Sequence, residues 1–161
     1  MVIKDEIRSK GNVELKTPVE IASFAATGTS IIEGDLVIGS DSEDAEEIKD
    51  ISALGMLKEI EGNIIIRNSY TGGTLIGLDN ITKIGGLLIG SEKNPAANET
   101  LEMVSMTKLN EVTGNIHVYN NGVKIVQFDL LKAIEGDFVI SSSSITTLQM
   151  PELINVGGVL N

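Results

Sequence analysis

The stretch from Ile32 to Ile38, with the sequence IEGDLVI, decides the fold because close copies of it recur along the chain. The copies are IEGNIII from Ile60, IGGLLIG from Ile84, VTGNIHV from Val112, IEGDFVI from Ile134 and VGGVLN from Val156. Their glycines are Gly34, Gly62, Gly86, Gly114, Gly136 and Gly158, spaced 28, 24, 28, 22 and 22 residues apart. Spacings of about 20 to 50 residues are typical of stacked, repetitive architectures. The sequence therefore predicts a parallel β-solenoid of about six coils.

Two fixed positions around each glycine support the repeat. The positions two before it are all β-branched: Ile32, Ile60, Ile84, Val112, Ile134 and Val156. The positions two after it are all apolar: Leu36, Ile64, Leu88, Ile116, Phe138 and Leu160. At 42% hydrophobic residues, twelve such matches would arise by chance roughly three times in 10⁵. Alternation after each glycine indicates one short, half-buried strand per coil.

The segments between these strands repeat apolar residues at every third position. The sets are Ile51, Leu54, Leu57 and Ile60; Leu75, Leu78, Ile81 and Ile84; Met103, Met106, Leu109 and Val112; and Ile125, Phe128, Leu131 and Ile134. A period of three favours a 3₁₀-like or irregular return path over an α-helix. Each repeat glycine then has two physical explanations: a side chain would meet the neighbouring coil, or the backbone needs a positive φ.

The N-terminal residues predict a helical cap on the first coil. Val13 to Leu15 is a candidate strand, and Thr17 with Glu20 forms a capping box with proline at the first helical position. We expect a helix over residues 17–27, closed by Gly28. The predicted segments are an N-terminal extension (1–12), a strand and capping helix (13–28) and the solenoid (29–161), which we expect to be truncated or uncapped at its C-terminal end.

Composition narrows the classes of partner. The net charge is −11, which opposes binding to nucleic acid and anionic membranes. The chain has no cysteine, which excludes disulfides and thiolate sites, and no stretch is long and apolar enough to insert into a membrane. We expect no cofactor and no metal. The first residues lack the apolar core of a signal peptide, so the protein is either cytoplasmic or has its signal outside this sequence.

The segment VELKTPVEIASFAATGTSIIEGDLVIG, followed by coils such as DISALGMLKEIEGNIIIRN, resembles bacterial cell-surface leucine-rich-repeat proteins related to the receptor L-domain. The resemblance covers about residues 12 to 161. It implies a right-handed β-helix-like solenoid opened by a short capping helix. It also implies an extracellular role in recognition or adhesion, with no shared catalytic residues to transfer.

Strand alternation predicts which side chains point outward. One such row is Asp35, Asn63, Leu87, Asn115 and Asp137, and the next is Val37, Ile65, Ile89, His117 and Val139. The second row is mostly apolar although it should face solvent, which favours an interface. The alternative is that β-branched residues favour strands wherever they point. The candidate interface residues are Val37, Ile65, Leu87, Ile89, His117 and Val139.

A polar residue follows each strand, namely Ser40, Asn68, Ser91, Asn120 and Ser142. Side-chain hydrogen bonds to turn backbone explain these positions better than a serine nucleophile does. The two longer coils add a loop with acidic residues between Asp41 and Glu47 and a loop EKNPAANET from Glu92. The acidic loop is either a solvated charge run or a Ca²⁺ site, but it lacks the spacing of an EF-hand.

These observations predict a non-catalytic recognition or adhesion module that binds a protein or glycan partner. The alternative is a structural spacer or oligomerisation domain, alone or with further domains of the same chain. A β-helical carbohydrate-active enzyme comes third, because Asp35 and Asp137 lie four coils apart, roughly 19 Å by strand spacing. Paired carboxylates work at about 5 to 9.5 Å. Tyr70 and Tyr119 are the surface candidates for stacking on sugars.

Overall fold

A computed structural model describes residues 6–161 and is built mainly from short β-strands. The single α-helix of the described residues, α1, spans Pro18–Ala25, and a 3₁₀ turn spans Ser52–Leu54. The strands are β1 (Arg8–Ser9), β2 (Val13–Leu15), β3 (Ile31–Ile32), β4 (Leu36–Ile38), β5 (Glu59–Ile66), β6 (Lys83–Gly90), β7 (Met103–Ser105), β8 (Glu111–Val112), β9 (Ile116–Tyr119), β10 (Ile125–Gln127), β11 (Ala133–Ile134), β12 (Phe138–Ser141), β13 (Thr147–Gln149) and β14 (Asn155–Val156).

The larger sheet is parallel throughout and follows the repeat. Its main path runs β1-β3-β5-β6-β8-β11-β14, and β2, β4, β9 and β12 extend the same coils. Paired residues along the path are Arg8, Ile31, Glu59, Lys83, Glu111, Ala133 and Asn155, so each step is 22 to 28 residues. The prediction of an all-β chain with parallel strands is confirmed. We call the chain between successive paired positions a coil.

A second parallel sheet, ordered β13-β10-β7, lies on the return path of the last coils. The prediction of one strand per coil was therefore wrong there. Val104 and Val126 pair in this sheet and are fully buried, whereas the predicted core residues Met103 and Ile125 are half-buried. A short strand buries its central residue, which shifts the period-three pattern by one. In the earlier coil that contains Ser52–Leu54, the predicted 3₁₀-like return path is confirmed. Ile51 lies at the start of this 3₁₀ turn and is buried, as expected.

The first coil is covered by α1. Thr17 caps the helix by accepting a hydrogen bond from the Glu20 backbone N–H at 3.1 Å. The Glu20 carboxylate accepts from the Lys16 backbone N–H at 3.0 Å, one residue earlier than an ordinary capping box. Ile21 buries its side chain, and Gly28 follows the helix with a φ of 68°. Within the predicted extension, β1 already pairs with β3.

The core is one aliphatic cluster that runs through all the coils. Almost all of its buried members are Ile, Leu, Val and Met, with Phe128, Phe138 and Tyr70 as the aromatic members. Tyr70 is 3% exposed, so its assignment as a surface aromatic was wrong. No helix among the described residues is long and apolar enough to cross a membrane.

Candidate functional site

Parallel pairing aligns one outward side chain from each of five coils. Val37 pairs with Ile65, Ile65 with Leu88, Leu88 with His117, and His117 with Val139. We call these five residues the strand-face row. Four of its members are half-buried, and the predicted interface was wrong at Val37, which is buried at 6% exposure. The accessible part of the row is a strip of three apolar residues and one histidine.

The predicted interface was wrong at Leu87 and Ile89, which are 2% and 1% exposed. Ile60 pairs with Ile84 and Asn63 with Gly86, so β6 has one residue fewer than β5 in this interval. Because successive strand side chains point to opposite faces, a one-residue shift turns Leu87 and Ile89 inward and Leu88 outward.

Glycines stack directly on one another along the coils. A Cβ on Gly62 would lie 2.6 Å from the Gly34 carbonyl oxygen, and one on Gly136 would lie 2.7 Å from that of Gly114. None of the repeat glycines has a positive φ. Of the two explanations proposed for the repeat glycines, close approach of the neighbouring coil therefore holds, and a positive φ does not. The stacked series is Gly11, Gly34, Gly62, Gly85, Gly114, Gly136 and Gly158.

Gly86 is not the stacked glycine of its coil, which corrects the repeat read from the sequence. Gly85 occupies that place, because the Gly114 N–H donates to the Gly85 carbonyl at 2.5 Å. A Cβ on Gly86 would meet the Asn63 side-chain oxygen and the Asn115 carbonyl. The same one-residue shift that buries Ile89 accounts for this difference.

The residue after each stacked glycine forms a side-chain ladder that the sequence interpretation missed. Asn12 accepts the Asp35 backbone N–H at 2.8 Å, and Asp35 accepts that of Asn63 at 2.7 Å. Further along, Asn115 accepts the Asp137 N–H at 2.7 Å, and Asp137 accepts that of Val159 at 2.8 Å. We call these residues the Asx ladder. The recurring Gly-Asp and Gly-Asn pairs in the sequence are its signal, and Gly86 interrupts it.

The Asx ladder bears on the enzyme alternative. Asp35 and Asp137 are the carboxylates of the outward rows, and each has one oxygen engaged by a backbone N–H of the next coil. Such bonds fix the carboxylates as parts of the stack. These hydrogen bonds therefore account for Asp35 and Asp137 as structural residues, with no catalytic partner involved.

His117 lies beside Asp137, between Leu88 and Val139 in the strand-face row. Its Nε2 is 3.8 Å from an Asp137 carboxylate oxygen, is buried and has no hydrogen-bond partner among the described residues. Its ring meets Tyr119 edge-on, with 5.8 Å between centroids. Burial raises the pKa of Tyr119, and the charges of Glu92 and Asp137 add to this shift. These contacts make His117 a packed member of the strip.

Acidic residues lie near both ends of the strand-face row, since Glu14 pairs with Val37 and Asp137 lies beside His117. Glu33 and Asp35 precede Val37 on the same coil, and Glu135 precedes Val139. Arg8 lies 3.5 Å from Glu33 and 3.4 Å from Glu61.

A second such pair joins Lys83 and Glu111 at 3.8 Å. Glu135 has no comparable basic neighbour among the ion pairs of the described residues. Lys16 and Arg67 lie beside Val37 with Glu14 and Asp41. Acidic residues still outnumber basic ones near the strip, so its rim carries a net negative charge.

The polar residues after the strands bond to turn backbone at four of the five predicted positions. The Ser40 and Ser91 hydroxyls accept backbone N–H groups two residues on, at 3.1 and 3.3 Å. Asn120 is buried and accepts the Gly122 N–H at 2.8 Å, and Ser142 donates to the Val123 carbonyl at 2.6 Å. At Asn68 the hydrogen bonds are made by the backbone.

The two longer loops lie together beside the strand ends. A groove of about 480 Å³ between them is lined by residues of the acidic loop, such as Asp41 and Glu47, and by Asn94 and Ala97. Arg67 pairs with Asp41 at 3.1 Å. No cluster of metal-ligating side chains occurs in the described part of the chain. The acidic residues are exposed, as a solvated charge run would be.

Hydrogen bonds attach the second loop to the chain around the buried Tyr70. The Asn98 amide donates to the Asn68 carbonyl at 2.7 Å and to the Tyr70 carbonyl. The Tyr70 hydroxyl donates to the Thr74 carbonyl. Burial raises the pKa of Tyr70 to about 12, with the charge of Asp50 adding to the shift. Backbone and hydroxyl hydrogen bonds from Ser52 lower the pKa of the exposed Asp50 carboxyl.

The most exposed apolar surface lies at the last coil. Leu148 is 56% exposed and Leu160 is 68% exposed. A groove of about 420 Å³ between the two sheets is lined by Phe138, Ile140, Ile145, Leu148, Leu160 and Asn161. We call this surface, together with the outer sides of β13 and β14, the C-terminal edge.

No model of a known protein family matches this chain, and no curated protein or solved structure matches it. The resemblance to bacterial surface leucine-rich-repeat proteins therefore stays a prediction.

Proposed function

We propose that this chain is a right-handed, leucine-rich β-solenoid that serves as a non-catalytic binding module of a bacterial surface protein. Parallel register at intervals of 22 to 28 residues supports the solenoid. Leucines buried at the same place in different coils, three residues before the strand position, support the leucine-rich repeat; they are Leu57, Leu109 and Leu131. The short helix α1 on the first coil fits the same architecture.

The observation that carries the binding function is the strand-face row. Ile65 and Leu88 lie at its centre on the two longest strands, β5 and β6, and are held in register by backbone pairing. A preformed apolar strip with an acidic rim loses little entropy on binding. Its chemistry fits a protein whose contact surface has apolar side chains at the centre and basic side chains around them.

A protein partner fits this face better than a glycan. Sugar-binding faces commonly stack sugar rings on exposed aromatic side chains, and aromatics are 3% of this sequence. Tyr70 is buried, so Tyr119, whose ring meets His117 edge-on, is the one tyrosine left for such stacking. The apolar strip offers contact area for side chains in place of hydrogen bonds for hydroxyl groups.

The test is a binding screen of the purified chain against a panel of bacterial surface proteins and a panel of glycans. The variants are Ile65→Thr and Leu88→Thr, which keep strand-compatible side chains and remove apolar area. The matched control is Ile76→Thr, since Ile76 is 62% exposed and lies outside the strands.

We expect a protein ligand whose affinity falls by about tenfold or more in the double variant and stays unchanged in the control. Added salt should weaken the same complex. A ligand bound equally by the double variant, or a glycan whose binding depends on Ile65 and Leu88, would contradict this proposal.

A further inference from the structure

His117 is the single histidine of the chain, and the chain contains no cysteine. Histidine is the side chain whose charge ordinarily changes between about pH 5 and about pH 8. Carboxyl groups ordinarily change charge below this range, and tyrosine and lysine above it. A change of pH within this range therefore acts on the side chains of this protein mainly through one ring.

The Nε2 atom of this ring is buried and has no hydrogen-bond partner among the described residues. It lies 3.8 Å from Oδ2 of Asp137. Buried nitrogen atoms are nearly always hydrogen-bonded, so an unpaired one needs a physical explanation. In a neutral ring Nε2 is either a lone pair, which a carboxylate repels, or an uncharged donor, whereas in the protonated ring it is a charged donor. The facing carboxylate therefore favours the protonated ring.

Asp137 is held in place while it faces the ring. Its Oδ1 accepts the Val159 backbone N–H at 2.8 Å, and Oδ2 is the oxygen that faces His117. His117 lies in β9, and Asp137 immediately precedes β12, the strand that pairs with β9. Charge-assisted hydrogen bonds have donor–acceptor distances of about 2.7 to 2.9 Å, so a movement of about 1 Å would join the two coils.

The other charged groups near the ring also favour a positive charge on it. The strand β12 has no charged residue, and β6 has one, Lys83, which pairs with Glu111 at 3.8 Å. Tyr119 meets the ring edge-on, and burial, together with the charges of Glu92 and Asp137, raises the pKa of this tyrosine. Burial of Nε2 opposes a charge, but the ring and the Asp137 side chain are 25% and 39% exposed. We therefore expect attraction by the carboxylate to outweigh the loss of solvation.

We propose that His117 and Asp137 form a pH-dependent ion pair that links the coils of β9 and β12, formed when the ring is protonated and absent when it is neutral. The folded chain then binds this proton more tightly than the unfolded chain does. The added stability is therefore present at mildly acidic pH and is lost as the pH rises through the range in which the ring releases the proton. This ion pair does not depend on the proposed binding function, although it places a charge between Leu88 and Val139 in the strand-face row.

The experiment measures thermal unfolding of the chain between about pH 5.5 and about pH 8. The variants are His117→Gln, which cannot gain the proton, and Asp137→Asn, which removes the charge. Asparagine keeps an amide oxygen for the Val159 N–H, as Asn115 has for the Asp137 N–H. The matched control is Asp35→Asn, the same change in the Asx ladder on a coil without a histidine.

We expect the unfolding temperature of the wild type to rise by about 1 to 3 °C on acidification, relative to that of His117→Gln. Asp35→Asn should keep this rise and Asp137→Asn should lose it. A rise of the same size in His117→Gln would overturn the proposal, as would a rise that Asp137→Asn keeps or that Asp35→Asn loses. A wild type that loses stability in acid relative to His117→Gln would overturn it equally, because burial of the charge would then outweigh the ion pair.

A measurement on the unsubstituted chain tests the same ion pair if a variant does not fold. The single imidazole gives one set of ring signals in a nitrogen-15 spectrum. We expect a slowly exchanging proton on Nε2 at about pH 5.5 that is absent at about pH 8. A ring proton that exchanges as fast as that of free histidine at the lower pH would contradict the proposal.

Discussion

The first and the last coils of the described residues share one repeat and differ in what lies against them. At the first coil, α1 lies on β2 and buries Ile21 to 3% exposure. At the last coil, Leu160 and Val159 are 68% and 59% exposed. The residue types at these positions are apolar at both ends. The comparison teaches that burial in this fold comes from the neighbouring coil, so stability resides in the contacts between coils.

We expect the largest difference in unfolding free energy between alanine variants of Phe138 and Leu160. These two residues pair with each other on adjacent coils. We expect Phe138→Ala to cost about 3 to 5 kcal/mol of unfolding free energy, because it leaves a cavity between two coils. Leu160→Ala should cost less than about 1 kcal/mol, since the side chain is mostly solvated. Urea unfolding of both variants measures the difference. Equal costs would mean that the last coil is as well packed as the one before it.

Glycine substitutions sharpen the same comparison with a smaller effect. Gly62 lies between coils on both sides, and a Cβ there would meet the Gly34 carbonyl at 2.6 Å. Gly158 meets a coil on one side, so its coil can move outward to relieve the clash. We expect Gly62→Ala to destabilise by about 1 to 3 kcal/mol and Gly158→Ala by less.

Gly73→Ala is the matched control, because its nearest neighbour would be the Thr100 carbonyl at 3.8 Å. Thermal unfolding should rank the variants as Gly62, Gly158 and Gly73, from most to least destabilised. If Gly158→Ala were the most harmful, the last coil would be the more rigid one.

The smallest expected loss of unfolding free energy concerns α1, the helix that packs on the first coil. Thr17→Ala removes the side-chain oxygen that accepts the Glu20 N–H, which should cost about 0.5 to 2 kcal/mol. Amide exchange should rise in α1 and in β2 beneath it, and stay unchanged at β11 and β12. Thr113→Ala, at an exposed position of a middle coil, provides the comparison. Faster exchange along the whole chain would indicate that the helix stabilises every coil and not only the first.

The repeat could be predicted from the sequence because its causes are local. Glycine at the stacking position, a β-branched residue two before it and an apolar residue two after it are visible without coordinates. The helix could be predicted for the same reason, since Thr17 and Pro18 act within one turn. The all-β, parallel character follows from the repeat, because each copy of the strand lies beside the next copy in the same direction.

The errors came from non-local effects. The missing residue in β6 is visible only when Ile60 is aligned with Ile84 across two coils, and it reverses the orientation of Leu87 and Ile89. Tyr70 is buried because Thr74 and the Asn98 side chain satisfy its polar groups, which single residues do not reveal. Leu160 is exposed and Phe138, its partner on the adjacent coil, is buried, although both are large and apolar, so residue type alone does not give this difference.

The Asx ladder has a direction. At each recorded step the acceptor oxygen belongs to the earlier coil and the N–H donor to the later one, from Asn12 to Asp35 and from Asp137 to Val159. Proteins are synthesised from the N-terminus, so each coil leaves the ribosome to find its acceptor already positioned. The coil behind acts as a template that sets the alignment of the coil ahead. Assembly can therefore proceed one turn at a time, in step with translation, without waiting for the C-terminal residues.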